Sequence, residues 1–213
     1  MSNFLFDGPE NATHSFIFAH GAGAGMEHEF MCSISQQLAQ KNIRVLRFEF
    51  PYMQKRREQG TKTPPNRQPQ LVTSYKDVVE QAQLPGKLVI GGKSMGGRIA
   101  SLLIHEEASL AQNISGLICL GFPFYAPKKT REASFSRGEH LHHTSTPTLI
   151  LQGERDHFGK REELQAMPFT EAVEVAFLAD GDHSFKPRVK SGYTLPQNMD
   201  KTVELMAEFI LSL

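Results

Sequence analysis

The chain has 213 residues, with Lys+Arg and Asp+Glu both totalling 23, so its formal charge is zero at pH 7. That length suits a single domain, residues 1–213, burying most of its surface, and the balanced charge excludes a global field drawing it onto nucleic acid or an anionic membrane. No window approaches 18 uninterrupted apolar residues, so no membrane-spanning helix is expected. The start "MSNFLFDGPENATHS" lacks a basic segment, an apolar run and a small-residue cleavage pattern. A cytoplasmic protein is therefore expected, in which the sequon at Asn11 carries no meaning and Cys32 and Cys119 are reduced, buried thiols.

In chain order, "HSFIFAH" (14–20) reads as a short buried strand. Residues 26–42 place Phe30, Ile34 and Leu38 four apart, a helical face. "IRVLRFEF" (43–50) is a strand ended by Pro51. The polar stretch "QKRREQGTKTPPNRQPQ" (54–70) reads as a long, mobile loop. A helix over 72–84 precedes a strand at 87–92, and a helix from Ser94 to about Glu107 leads to a strand at 114–122. A strand at 146–153, a short helix near 160–166 and a strand at 173–178 follow. The last segment puts Met199, Val203, Met206, Phe209, Ile210 and Leu213 on one helical stripe. Short apolar strands alternating with amphipathic helices predict an α/β fold, a mostly parallel sheet of about six to seven strands with helices on both faces. Ligands bind at the carboxyl ends of such strands.

The chemistry concentrates at one of those ends. Gly92-Lys93-Ser94-Met95-Gly96 matches G-x-S-x-G between a predicted strand and a predicted helix. At such a corner a serine takes a strained backbone conformation and the glycines let neighbouring chain approach. The competing readings are a glycine-rich turn with no chemistry and a phosphate-binding loop. The latter would need a glycine at position 87, where this chain has Lys87.

A nucleophilic serine needs a base, an acid that orients the base, and donors for the developing oxyanion. Asp156 lies three residues past Gly153, in "GERDHFG" after one strand, and His183 lies in "ADGDHSF" after the next. The order Ser94, Asp156, His183 is that of hydrolases, and "HGAGAG" (20–25) is a glycine loop of the kind that supplies oxyanion donors.

The segments "HGAGAG", "GGKSMGGR", "LQGERD" and "DGDHSF" resemble those of the α/β-hydrolase superfamily, from about Phe16 to the C-terminus. More narrowly they are similar to its small, lidless, dienelactone-hydrolase-like branch and to a subgroup that includes a testis-expressed protein and a histone-acetyltransferase complex subunit. The resemblance implies Ser94 as nucleophile, Asp156 as acid, His183 as base, and backbone N–H groups of Met95 and of the Gly21–Ala22 region as the oxyanion hole. Dienelactone hydrolases use cysteine where this chain has serine, so their substrate is not implied.

Other residues carry less. His20 is expected to brace the glycine loop, "HLHH" (140–143) to be a solvated or capping cluster, and Asp180 and Asp182 to shape the turn before His183. Arg98 has two open readings, a substrate carboxylate or a buried acid such as Glu49. Phe122, Phe124 and Tyr125 in "FPFYAP" either line an acyl pocket or pack inward. The expected function is a serine esterase acting on a small-molecule ester or acyl substrate, with no cap domain, cofactor, metal, nucleic acid or membrane partner. The alternatives are a thioesterase or peptidase using the same residues, or a hydrolase-fold interaction module.

Overall fold

A computed structural model describes residues 4–126 and 135–213, so Pro127 of the "FPFYAP" stretch lies outside the described residues. The strands are β1 (Leu5–Asp7), β2 (His14–Ala19), β3 (Arg44–Phe48), β4 (Lys87–Lys93), β5 (Gly116–Leu120), β6 (Thr148–Gly153) and β7 (Val173–Leu178). They form one sheet in the order β1-β3-β2-β4-β5-β6-β7. β1 pairs antiparallel with β3, and every other neighbouring pair is parallel. β1 is the strand that the sequence pattern does not reveal. Three residues are too few to show a period, and pairing with β3, with the Asp7–Arg47 ion pair at 2.8 Å, holds it in place.

The helices are α1 (Glu29–Gln40), α2 (Pro51–Gln59), α3 (Gln68–Gln81), α4 (Met95–Glu106), α5 (Ala108–Ala111), α6 (Arg161–Gln165) and α7 (Leu195–Ser212), with a 3-10 segment at Phe135–His143. Side chains alternate across a strand. Phe16 and Phe18 accordingly pack to one face with Ile34, Leu38, Val203 and Met206 of α1 and α7, while Ile17 and Ala19 pack to the other with Tyr75 and Ile99 of α3 and α4. Among the described residues, no helix is long and apolar enough to cross a membrane.

The stretch 54–70 is not the long loop that its composition suggests. It contains most of α2 and the start of α3, leaving residues 60–67 as the connection. Pro51 and Pro69 sit in the first turns of those helices, where a proline costs no hydrogen bond, and Gly60 ends α2 in the left-handed conformation (φ 65°). Two of its basic residues are also engaged: Arg57 pairs with Glu49 at 2.8 Å, and Arg56 donates to the carbonyl of Thr63 at 2.6 Å.

One helix-to-sheet contact stands apart. The buried Tyr75 hydroxyl accepts the N–H of Gly91 at 3.0 Å and lies 2.9 and 2.8 Å from the carbonyls of Ile17 and Gly91. It thereby satisfies polar backbone at the β2–β4 junction, directly under the end of β4. Tyr75→Phe is expected to orphan the Gly91 N–H and to lower stability by about 1–3 kcal/mol, read from the midpoint of denaturant unfolding.

Candidate active site

β4 ends at Lys93 and α4 begins at Met95, so Ser94 alone makes the corner. Its backbone lies at φ 50°, ψ −112°, a conformation that costs a non-glycine residue about 1–3 kcal/mol. Two backbone hydrogen bonds hold it there: Ser94 N–H donates to Leu120 O at 2.8 Å, and Arg98 N–H donates to Ser94 O at 3.1 Å. The flanking glycines are required because the chain passes so close. A Cβ on Gly92 or Gly96 would stand 2.6 or 2.5 Å from the carbonyl oxygen of Ala19.

Asp156 follows β6 and is fully buried. Its Oδ1 accepts Phe158 N–H at 2.9 Å, and its Oδ2 accepts Gln152 Nε2–H at 3.0 Å and lies 2.8 Å from His183 Nδ1. The opposite imidazole nitrogen, Nε2, is 2.9 Å from Ser94 Oγ. With Nδ1 donating to the carboxylate, the lone pair on Nε2 is free to accept the serine hydroxyl proton. The structure thus joins Asp156, His183 and Ser94 in one hydrogen-bonded chain. Asp180 and Asp182 lie elsewhere in the turn: Asp180 binds Arg188 and Arg155, which hold it below the usual carboxylate range, and Asp182 Oδ1 accepts the N–H groups of Ser184 and Lys186.

His183 must reach back over β5 to meet Ser94, and the end of β5 makes room. Gly121 lies at φ 63°, and a Cβ there would stand 2.8 Å from Lys93 Nζ and 3.2 Å from the His183 carbonyl oxygen. Lys93 is a contributor that the motif leaves as "x". Its ammonium donates to the His183 carbonyl at 2.7 Å, lies 3.5 Å from Nε2, and faces the rings of Phe30 and Phe185. Burial brings it down to about 8, opposed by Asp156 and Asp182. Burial is also the main reason that His183 sits below its usual value. The hydrogen bond to Asp156 opposes that shift and the Lys93 charge adds to it, with a smaller push from His157.

The glycine loop is held by side chains behind it. Buried His20 binds the Gly21 carbonyl through Nδ1 at 2.7 Å and accepts Phe50 N–H on Nε2 at 3.1 Å. Those partners specify the neutral Nδ1–H tautomer, and burial, which pushes the pKa down, agrees. Tyr52 and Arg56 bind the Ala22 carbonyl at 3.1 and 3.4 Å. With its carbonyls turned back, the loop runs beside Ser94, and a Cβ on Gly21 would lie 3.8 Å from that of Ser94. Met95 supplies the first N–H of α4, which helix geometry leaves without an intrahelical acceptor.

Ser94, His183, Gly21 and Ala22 line a cleft of about 730 Å³, whose apolar wall is built by Phe30 and Met31 of α1, Phe158, and Leu195 and Met199 of α7. Phe122, Phe124 and Tyr125 are not part of that wall. All three are buried in the core cluster on the opposite face of the sheet, where the Phe122 and Phe124 rings lie 4.6 Å apart, so the acyl-pocket reading of these residues gives way to the packing one. Gln152 is the other residue that sequence reasoning passed over. A lone amide in the apolar run "TLILQG" was the available signal, and its side chain spans Phe122 N–H, Phe122 O and Asp156. Arg98 does not pair with Glu49, which Arg57 holds; it donates to Gln68 Oε1 at 2.8 Å. His140 is also no solvated cap, since its ring is half-buried and its Nε2 lies 2.8 Å from Ser101 Oγ.

A strand–serine–helix corner at the centre of a mostly parallel sheet, with histidine and aspartate presented from later strand ends, defines a class of fold. Residues 12–211 match the family model of the alpha/beta hydrolase domain, and the chain belongs to that family. Among solved structures it is similar to Est1E from Butyrivibrio proteoclasticus, determined with ferulic acid bound (TM-score 0.69, 17% identity, 99% of this chain and 96% of that one). It is also similar to a dienelactone hydrolase from Anabaena variabilis (TM-score 0.67, 16% identity, 98% and 90%). A serine hydrolase without a lid from Xanthomonas campestris superposes as well (TM-score 0.65, 14% identity, 99% and 88%). At these identities the likeness is one of fold.

The electrostatics around His183 make a prediction that needs no substrate. Its imidazole is expected to titrate below 6.5 in NMR spectra of the folded protein. Lys93→Met removes a cation that disfavours imidazolium and should move the midpoint up. Asp156→Asn removes the group that favours imidazolium and should move it down.

Proposed function

We propose that this protein is a serine hydrolase that cleaves small carboxylic esters through an acyl-enzyme on Ser94. The observation that supports this best is the unbroken hydrogen-bond chain from buried Asp156 through His183 to a serine held in a strained corner. In this reading Ser94 Oγ attacks the ester carbonyl carbon while His183 Nε2 takes its proton. The tetrahedral intermediate collapses, the C–O bond to the alcohol breaks, and imidazolium returns the proton to the departing oxygen. A water then attacks the acyl carbon with His183 again as base, the bond from that carbon to Ser94 Oγ breaks as imidazolium returns the proton to the serine oxygen, and the acid leaves. Asp156 holds the tautomer and offsets the imidazolium charge. The N–H groups of Met95 and of Ala22 or Gly21 receive the oxyanion, where preorganised donors are worth more than in water.

Ferulic acid, the ligand of the structurally similar Est1E, is an aromatic acid, and the apolar wall of Phe30, Met31, Phe158 and Met199 suits an acyl group of that kind. The setting we propose is the cytoplasm, in keeping with two free cysteines, one buried and one half-buried.

A fluorophosphonate probe should label wild-type protein and fail to label Ser94→Ala. Hydrolysis of p-nitrophenyl esters should fall by about 10⁶ in Ser94→Ala and nearly as far in His183→Ala, because the two act as a unit. Asp156→Asn should cost about 10⁴ through the wrong tautomer. Near wild-type ester turnover in Ser94→Ala would overturn the reading. Absence of labelling in the wild type would leave an interaction module, and turnover confined to acyl-CoA or peptide amides would redirect it to a thioesterase or peptidase.

The pH profile follows from the direction of the His183 shift. The free base is required, so kcat/KM should fall as pH drops through the imidazole pKa, and burial together with Lys93 places that limb below 6.5. Lys93→Met should displace the limb to higher pH, whereas Lys93→Arg, which keeps the charge, should displace it less.

A further inference from the structure

Where α4 meets the start of α3 and the 3-10 segment sits a pair of cations that the hydrolytic chain does not use. Arg98, one helical turn after Ser94, is half-buried. Among the described residues its guanidinium makes one hydrogen bond, from Nη2 to Gln68 Oε1 at 2.8 Å, and its Nε is shielded from solvent with no partner. Arg137, in the 3-10 segment Phe135–His143, is half-buried as well. Among the described residues, Arg137 makes no hydrogen bond and no carboxylate lies within ion-pair range of either guanidinium.

The two segments are in register. Ser101 lies one turn beyond Arg98 on α4, and His140 lies one 3-10 turn beyond Arg137, where residues three apart eclipse one another. Ser101 Oγ donates to the Arg98 carbonyl at 2.8 Å, so His140 Nε2, also at 2.8 Å, is the donor to Ser101. That contact places the preceding turns side by side; burial pushes Arg98 down, the charge on Arg137 adds to the shift, and Glu106, which makes no ion pair with it, opposes it. Neutral His140, lowered to about 4 chiefly by burial, adds no compensating charge of either sign at neutral pH. Gln68 opens the 14-residue helix α3, so the positive end of that helix lies at the same place. A half-desolvated guanidinium without an acid is costly, and two that repel one another are more so.

We propose that Arg98 and Arg137 form a binding site for an oxyanion, a carboxylate or phosphoryl group, gripped by the two guanidinium forks with the unpartnered Arg98 Nε as one donor. Planar, bidentate recognition of this kind is what arginine supplies and lysine does not. The anion has two possible sources, a free ion or the far end of a substrate whose acyl carbon sits at Ser94. Arg98 is about 6 Å along the helix from that serine.

The first arm measures thermal unfolding in rising inorganic phosphate, with chloride used to hold ionic strength constant. Wild type should show a saturable rise in Tm, about 3–6 °C at ten times the Kd. Arg98→Gln and Arg137→Gln should each flatten it, both remaining folded as judged by fluorophosphonate labelling or, should that reading fail, by circular dichroism. A wild-type response no larger than the chloride control overturns the site, as does a phosphate response that survives both substitutions. The second arm compares p-nitrophenyl butyrate with mono-p-nitrophenyl glutarate. A tenfold or greater rise in KM for the glutarate alone in Arg98→Gln assigns the anion to the substrate. Equal behaviour of the two esters, with the phosphate response intact in wild type, assigns it to a free ion.

Discussion

The close approach of backbone at the carboxyl edge of the sheet is the constraint on which the site depends. Ser94 holds a conformation that costs about 1–3 kcal/mol, and it persists because β4, α4 and the end of β2 meet with nothing between them. Gly92 and Gly96 remove the atoms that would strike the Ala19 carbonyl, and the Leu120 carbonyl captures the serine N–H. Because the hydroxyl is displayed by strain at a corner, its position is set by packing on both sides of the sheet. Tyr75 contributes from below, since its hydroxyl satisfies the backbone of Gly91, immediately before the glycine-lysine-serine step.

From that fixed point the electrostatics divide into opposing parts. Asp156 favours imidazolium, while burial and Lys93 disfavour it. In the mechanism we propose, the opposition suits a base that must be neutral before reaction and charged in the transition state, because a group pulled strongly either way does one of those tasks poorly. Lys93 also donates to the His183 carbonyl and so ties the turn carrying the base to the strand carrying the serine. Gly121, just past β5, is the spatial condition for this, since a Cβ there would stand 2.8 Å from the ammonium.

The cleft has a different origin from the chain of polar groups that it exposes. Its apolar wall comes from α1 and α7, the two helices on one face of the sheet, together with Phe158 beside the imidazole ring. The opposite face is filled by α3, α4 and the aromatic cluster of Phe122 and Phe124. Serine, histidine and aspartate therefore stand at the boundary between two cores, and the cleft opens on the side toward α1 and α7.

Much of this was legible in the residues. The alternation of apolar strands with helical stripes determined an α/β sheet, and strand 173–178 coincides with β7. The corner at Ser94, and the placing of Asp156 and His183 just after two strands, depend on local order, which a linear pattern displays directly. What the tertiary structure decided are the matters of facing and proximity. The basic stretch after Pro51 is helical because its prolines fall in first turns, although composition alone reads as loop. Phe122 and Phe124 face the core, not the cleft, because the end of β5 aims them there. Gln152 meets Asp156, Lys93 meets His183 and Arg98 meets Gln68 only through strand order and helix register. Local sequence encodes period and turn chemistry; which side chains share a space is set by pairings between segments tens of residues apart, and those exist only in the folded chain.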